Sequence, residues 1–516
     1  MIEPRHVVVV GGGVAGLVAA LDCARVGIRV TVIERAEAPG GAVATETVAG
    51  IRVDTGAESY ATRGGSVRAV VDSLGLGDAV VTPAAAGAWV RLADGRSAPL
   101  PKAGLLGIPS NPLADDVRRV IGWRGAIRAY LDRLRPVLTI GQEHNLGDLV
   151  RRRMGRAVLD SLVAPVTRGV YSADPTDLDI TRAAPGLNRA LTVTGSLSGA
   201  VALLRENAPA GSAVEGLRGG MSTFVDALVA ELREREGEVL LGVGVTGLER
   251  GSGEESTAEP AESAAEPAVV PPWLLTLDDG RIIDADFVIV ATPEAQALDL
   301  LAPFAPEIAE AEPADAPTVE LVTFVLDAPA LDAAPRGTGV LVAESAQPSV
   351  TAKALTHSSA KWQWLRDEAS TEHPHRHVIR LSYGRQGAQN PTIGLADADV
   401  RSLALRDAAE ILGVPLDDSA VVGFARTVWR GTLPGAAIGQ RDRAETLRAA
   451  VVSIGHIDVT GAWLSGTGLA SVVPDALASS GRIRRLVAAS YLASGVPDDG
   501  HTRPGINKTS PDERPE

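Results

Sequence analysis

Four valines, Val7 to Val10, run directly into Gly11-Gly12-Gly13, and this junction constrains the fold more than any other stretch of the chain. An unbroken β-branched run is the pattern of a parallel strand buried on both faces. Val14 to Arg25 then sets Leu17, Ala20, Leu21 and Ala24 on one helical face, and Gly27 stops the helix. Ile28 to Ile33 is a second β-branched strand, closed by Glu34. Strand, glycine turn, helix and strand make a βαβ unit, which predicts an α/β fold built on a parallel sheet.

Gly11, Gly13 and Gly16 stand in the spacing G-x-G-x-x-G. Gly11 permits the tight turn, Gly13 lets a pyrophosphate approach the backbone, and Gly16 lets helix and strand pack closely. Val14 and Ala15 open the helix, where free N–H groups and the positive dipole end favour phosphate. Glu34 is placed to accept hydrogen bonds from ribose hydroxyls. The unit therefore predicts a bound dinucleotide.

A chain of 516 residues is too long for one simple core and predicts two or three domains. Its formal charge of −15 argues against general nucleic-acid binding, which needs a basic face. The single cysteine, Cys23, forbids an internal disulfide and any cysteine-based metal site. It falls in the first helix and reads as a small core residue. No run approaches the ~18 apolar residues of a membrane span, and the N-terminus lacks a signal-peptide layout. A cytoplasmic location is expected.

Helices are predicted over 66–77, 115–139, 146–163 and 221–236, and strands over 239–248, 318–327, 338–344 and 376–383. Arg250 to Pro272 is rich in Glu, Ala, Ser and Pro, cannot bury much surface, and is expected to be a mobile loop inside a β-meander. The tail, 496–516, is expected to be disordered. The expected domains are a discontinuous dinucleotide-binding domain (1–83, 215–300 and 425–495), a helical insertion (84–214) and a sheet-bearing domain (301–424).

The loop from Glu34-Arg35 to Gly40-Gly41-Ala42, followed by Asp54-Thr55-Gly56-Ala57, resembles the signature of the amine-oxidase-like flavoprotein superfamily. That resemblance implies FAD rather than NAD. Along nearly the whole chain the sequence resembles the protoporphyrinogen/coproporphyrinogen oxidase family of heme biosynthesis. The matching pieces include GIRVDTGAESY, LPKAGLLGIPSNP, GLRGGMSTFVDAL, VIRLSYGR and LSGTGLASVVPDALASSGR. The more family-specific ones are Leu162 to Asp179, with its GVYSADP, and Ser358 to Trp362.

The resemblance implies a Rossmann-like FAD-binding domain with a helical insertion and a sheet-bearing substrate domain. It implies oxygen-dependent oxidation of coproporphyrinogen III or protoporphyrinogen IX to the porphyrin. Six electrons and six protons leave the macrocycle, and O₂ takes them up through FAD to give H₂O₂. The flavin carries the hydride chemistry, and no side chain is assigned as a catalytic group. Further cofactor contacts are implied at Val245, whose backbone would meet the adenine, and at Trp429. Gly466, Val473 and Pro474, in the segment Gly461 to Asp475, would return to the flavin ring. Gly169 would border the substrate, although it also reads as a turn glycine between helices.

Two positions depart from the family pattern. Gln440 stands where many members have a histidine, and Ala88-Trp89-Val90 replaces an arginine proposed to hold a substrate carboxylate. Arg63, Arg168 and Lys361 are the remaining candidates for that anchor, each also readable as a solvated surface charge. The resemblance to soluble bacterial members favours coproporphyrinogen. An amine oxidase or carotenoid desaturase, and a flavin-holding protein without turnover, remain as alternatives. His373, His375 and His377 alternate in the manner of metal ligands on a strand, but Pro374 breaks the strand, so no metal is expected. The basic, apolar helix at 115–139 either packs on the next domain or lies on a membrane surface. No pattern sets the oligomeric state.

Overall fold

The computed structural model describes residues 4–135, 142–206, 213–251, 273–314, 316–345, 349–431 and 437–493. The valine run, His6–Val10, is the centre of a five-stranded parallel sheet. Across it the order is Glu238–Leu240, Arg29–Ile33, His6–Val10, Phe287–Val290 and Ile457–Val459. Val7 and Val9 face one core, with the helices Val14–Ala24, Ser222–Glu234 and Leu469–Ala493. Val8 and Val10 face a second core, with the helix Gln440–Ile454 and a three-stranded antiparallel sheet. Successive strand residues point to opposite faces, so burial on both sides requires the unbroken valine run. Cys23 is buried in the first core, and burial pushes its thiol up to about 12.

The antiparallel sheet, Val245–Arg250, Trp273–Leu277 and Ile282–Ala285, is the expected meander. Of the mobile loop expected from Arg250 to Pro272, Arg250 instead ends a strand, and 252–272 lie outside the described residues, as does the tail beyond 493. The predicted strand over 239–248 is two strands, parted where Gly242 takes a positive φ of 69°.

A seven-stranded sheet forms the second body. Its order is Val421–Arg430, Thr318–Asp327, Arg376–Tyr383, Ala354–Thr356, Gly339–Val342, Trp89–Arg91 and Ser97–Pro99. The helix Asp397–Leu412 covers one face through Val400, Ala404, Ala408 and Ile411. Two expected boundaries shift here. Trp89–Arg91 and Ser97–Pro99 lie in the stretch expected to be a helical insertion, yet they are strands, because Val90 and Ala98 pack beneath Val117 and Val120. Val421–Arg430 pairs along Thr318–Asp327, so 425–430 belongs to this sheet and not to the FAD-binding segments.

The helical insertion proper starts at Asp115 and has its own core of Leu146, Leu149, Leu178 and Ile180. The helix expected over 115–139 runs Asp115–Tyr130 and tightens into a 3₁₀ turn to Leu134. It breaks at Gly122, whose φ is 67°. The helix expected over 146–163 stops at Arg153 and resumes after Gly155, continuing to Tyr171 through a π-turn over Leu159–Val163.

Candidate flavin site and adjoining cleft

The glycine turn is built as its spacing predicts. Gly11 has φ +110°, and a Cβ there would meet the Ala291 carbonyl oxygen at 2.7 Å. A Cβ on Gly16 would overlap the Gly11 carbonyl oxygen, so helix and strand approach at backbone distance. Gly13 caps the first helix, and no side chain supplies the cap. Leu17 is the first residue whose N–H enters the helical ladder, to the Gly13 carbonyl at 2.9 Å. The N–H groups of Val14, Ala15 and Gly16 are therefore left to a ligand. Above Gly13 there is room: the nearest heavy atom to a Cβ would be the Gly41 Cα, at 4.0 Å. An uncapped helix start facing a glycine pair fits a pyrophosphate.

Around this turn the chain gathers its other predicted residues. Gly40 donates its N–H to the Gly12 carbonyl at 2.8 Å and pairs beside Gly13, while Gly41 has φ +58°. Glu34 accepts from the Gly12 N–H at 2.7 Å and the Ala36 N–H at 2.8 Å. Its carboxylate is thus held under the turn with further lone pairs for a ribose. The Arg35 guanidinium lies across Gly244, next to buried Val245. The Ala42 carbonyl accepts the Ala57 N–H at 2.9 Å over the space that Gly56 leaves bare.

Two residues of the seven-stranded sheet pin that last segment. Trp429 donates its indole N–H to the Thr55 carbonyl at 2.8 Å. Arg380 donates to the carbonyls of Asp54 and Gly56, both at 2.9 Å. Arg380 was not singled out from the sequence. Its signal is a cation between apolar neighbours in VIRLSYGR. Nearby, burial pushes the Asp54 carboxyl up to about 7, and its Oδ1 accepts the Met221 N–H. Glu58 goes the other way. Burial would raise it, but Lys361 and Arg380 together hold it at about 2.

The C-terminal glycine segment is positioned by the fifth strand, Ile457–Val459. Gly461 and Gly466 take φ of 137° and 98°, and the long last helix begins at Leu469. Val473 is buried in the first core, and Pro474 sits inside the helix. Between this segment and the helical insertion lies a cleft of about 450 Å³, whose lining includes Arg63, Tyr171, Arg182, Gly466, Thr467 and Ser471.

The proposed substrate residues separate. Arg63 reaches the cleft and donates to Ser471 Oγ at 3.2 Å. Arg168 is paired with Asp174 at 2.6 Å and Glu344 at 2.8 Å. Lys361 is paired with Glu58. Neither has a free charge to offer. Gly169 is inside the helix Ala164–Tyr171, not in a turn, and Leu341 of the large sheet fills the space beside it. Its bareness serves helix–sheet packing. Trp89 lies beneath the Arg336 guanidinium, 4.9 Å from ring to charge. Gln440 is buried and donates to the Trp463 carbonyl at 3.3 Å.

Lys353, also missed, donates to Ser172 Oγ and to the Gly384 carbonyl, each at 2.6 Å, and burial pushes its amine down to about 7. It straps the GVYSADP segment to the large sheet. His375 and His377 both face Asp332, at 2.7 and 3.0 Å, and His373 lies 3.5 Å from Asp327. Among the described residues no group of three or more such side chains is arranged to hold a metal ion.

A parallel sheet with an uncapped helix start, a glycine pair against it and an acid at the second strand's end defines a dinucleotide-binding flavoprotein. The chain belongs to the flavin-containing amine oxidoreductase family, whose model matches residues 14–483. FAD is its cofactor. It is similar to the coproporphyrinogen III oxidase of Bacillus subtilis, with 25% identity over 95% of this chain and 99% of that one. It is also similar to the coproporphyrinogen III oxidase of Mycobacterium bovis, with 29% identity over 93% and 97%. A crystal structure from Exiguobacterium sp., provisionally named a protoporphyrinogen oxidase, shares the fold with a TM-score of 0.77. It is 24% identical and covers 95% of this chain and all of its own.

Proposed function

We propose that this chain oxidises a porphyrinogen to the porphyrin, with coproporphyrinogen III preferred and O₂ as terminal acceptor. The observation that carries the reading is the cleft. Tyr171, from GVYSADP, and Gly466 and Thr467, from the C-terminal glycine segment, line the same space. A reducible ring on one side and a substrate on the other would meet there. The near full-length similarity to coproporphyrinogen III oxidases supports the same substrate class.

FAD, when bound, supplies the two-electron chemistry. The chain's residues bind and orient. The first helical turn would hold the pyrophosphate and Glu34 the ribose, while Trp429 and Arg380 fix the backbone of Thr55 and Gly56. Six electrons and six protons leave the macrocycle, and three O₂ become three H₂O₂. A cytoplasmic setting suits such a reaction, and no helix among the described residues is long and apolar enough to cross a membrane.

The test is an aerobic assay of the yellow protein on coproporphyrinogen III and protoporphyrinogen IX, reading porphyrin fluorescence and H₂O₂. Faster turnover of coproporphyrinogen is expected, with three H₂O₂ per porphyrin. A flavin-loaded protein that oxidises neither substrate overturns the proposal.

A further inference from the structure

We propose that Arg182, with Arg63 beside it, anchors a substrate carboxylate in the cleft next to the C-terminal glycine segment. This rests on the porphyrinogen reading above. It supplies the anchor that Trp89, Arg168 and Lys361 do not.

The argument begins with charge pairing. Five arginines line the cleft, and three are neutralised. Arg441 pairs with Glu445 at 2.9 Å, Arg448 with Asp475 at 2.7 Å, and Arg482 with Asp458 at 2.5 Å. Arg63 and Arg182 have no carboxylate partner among the described residues. Asp179, close to Arg182 in sequence, attracts it through space but forms no ion pair with it. It caps the helix Ile180–Ala183 by accepting from the Thr181 N–H and hydroxyl, at 2.7 and 2.6 Å.

Arg182 is also fixed. Its Nη2 donates to the Leu464 carbonyl at 3.1 Å. Its Nη1 is buried and has no hydrogen-bond partner, and it lies 3.6 Å from where a Gly466 Cβ would stand. Burial depresses its pKa, and the through-space attraction of Asp179, Glu445 and Asp475 does not make up for it. A buried guanidinium nitrogen is costly to leave dry, and this one stands at the cleft, where a ligand oxygen can satisfy it. Gly466, having no side chain, keeps the approach open.

A carboxylate suits this fork, which can take two oxygens at once. The overall charge of −15 would repel a polyanionic substrate, so attraction must come from a local unneutralised cation. Coproporphyrinogen carries four propionates and protoporphyrinogen two. An anchor here therefore bears on which of them is held.

The experiment uses the FAD-loaded protein and stable coproporphyrin III, with its tetramethyl ester as the uncharged counterpart. Equilibrium binding is read by porphyrin fluorescence. In the native protein the free acid should bind more tightly than the ester. Arg182→Gln should weaken the free acid by about tenfold, as loss of a hydrogen bond to a charged group does, and the acid-to-ester ratio should collapse. Arg182→Lys should restore part of that ratio. Equal weakening of both ligands overturns the proposal, because it reports a packing defect. Loss of FAD with the ratio unchanged overturns it too, assigning Arg182 to the flavin. So does inorganic phosphate that stabilises the native protein, but not Arg182→Gln, while the ratio is unchanged, since the cleft then serves a free anion. A native protein that turns over coproporphyrinogen while the variant keeps the ratio defeats this inference alone. A native protein that neither binds nor oxidises any porphyrinogen defeats the functional reading, and this inference with it.

Discussion

Glu58 shows how one side chain couples stability to pH. It lies between Lys361 and Arg380, and the two cations outweigh the burial that would otherwise raise its pKa, leaving it at about 2. The unfolded value is about 4.3. The folded carboxylate is therefore favoured above that pH, and its contribution is lost as pH falls from about 4.3 toward 2. Glu58→Gln leaves two part-buried cations unbalanced, and we expect a loss of about 3 kcal/mol near neutrality. Urea unfolding at pH 7 and at about pH 3, inside that window, measures it. The variant should lose less on acidification than the native protein, and an equal slope would rule out the pairing as the cause. None of this was legible in the sequence. Glu58 and Lys361 lie far apart along the chain, and Arg380 reads there as one cation in an apolar strand. A local pattern reports which face a residue takes and not which distant charge it meets.

At the scale of elements, the glycine turn was legible almost completely, because each glycine answers to backbone within the same βαβ unit. The structure separates their duties. Gly16 is closed against Gly11, whereas Gly13 faces open space with ordinary φ. Gly13→Asp should thus fold, yet place a carboxylate where phosphate binds and greatly weaken FAD. Gly16→Val should fail to fold. Absorbance at the flavin band and a far-UV spectrum distinguish the two, and full flavin loading of Gly13→Asp would refute the pyrophosphate assignment. The helix Asp115–Tyr130 was legible in its start but not in what it packs against. Its periodicity promised a buried face, yet Trp123, Ile127, Leu131 and Leu134 are exposed, with Arg119 and Arg124 exposed beside them. Apolar side chains among arginines suit the surface of an anionic membrane. The protein should co-sediment with phosphatidylglycerol vesicles more than with neutral ones. The double variant Trp123→Glu, Leu134→Glu should stay in the supernatant. Native protein that ignores both vesicle types would leave this face to protein packing. The strands at Trp89–Arg91 and Ser97–Pro99 were missed for a related reason. Three-residue strands have no period to read, and only the pairing of Trp89–Arg91 with Gly339–Val342, far along the chain, defines them.

Over the whole molecule, the flavin domain is closed by the two ends of the chain. The last helix, Leu469–Ala493, lies along the first, Val14–Ala24, and Val472, Val473, Ala476 and Ile483 share a core with Leu17, Val18 and Leu21. Polar contacts fix the register. Asp22 accepts from Ser480 at 2.6 Å and pairs with Arg484 at 2.9 Å, and the Arg5 N–H donates to the Tyr491 hydroxyl at 2.8 Å. The sheet needs both ends as well, since Ile457–Val459 is its edge beside Phe287–Val290. The βαβ unit therefore cannot be a stable half-site alone. Its helix is buried on nearly every side, in part by the last helix, and exposing that part destabilises by roughly 25 cal/mol per Å². A chain ending at residue 460 keeps every glycine of the turn and Glu34. It should nevertheless be insoluble or colourless, whereas one ending at residue 493 should hold FAD as the full chain does. Flavin absorbance per protein in the soluble fraction decides between them. If the chain ending at residue 460 were soluble and yellow, flavin binding would belong to the N-terminal unit, and the C-terminal glycine segment would serve the cleft alone.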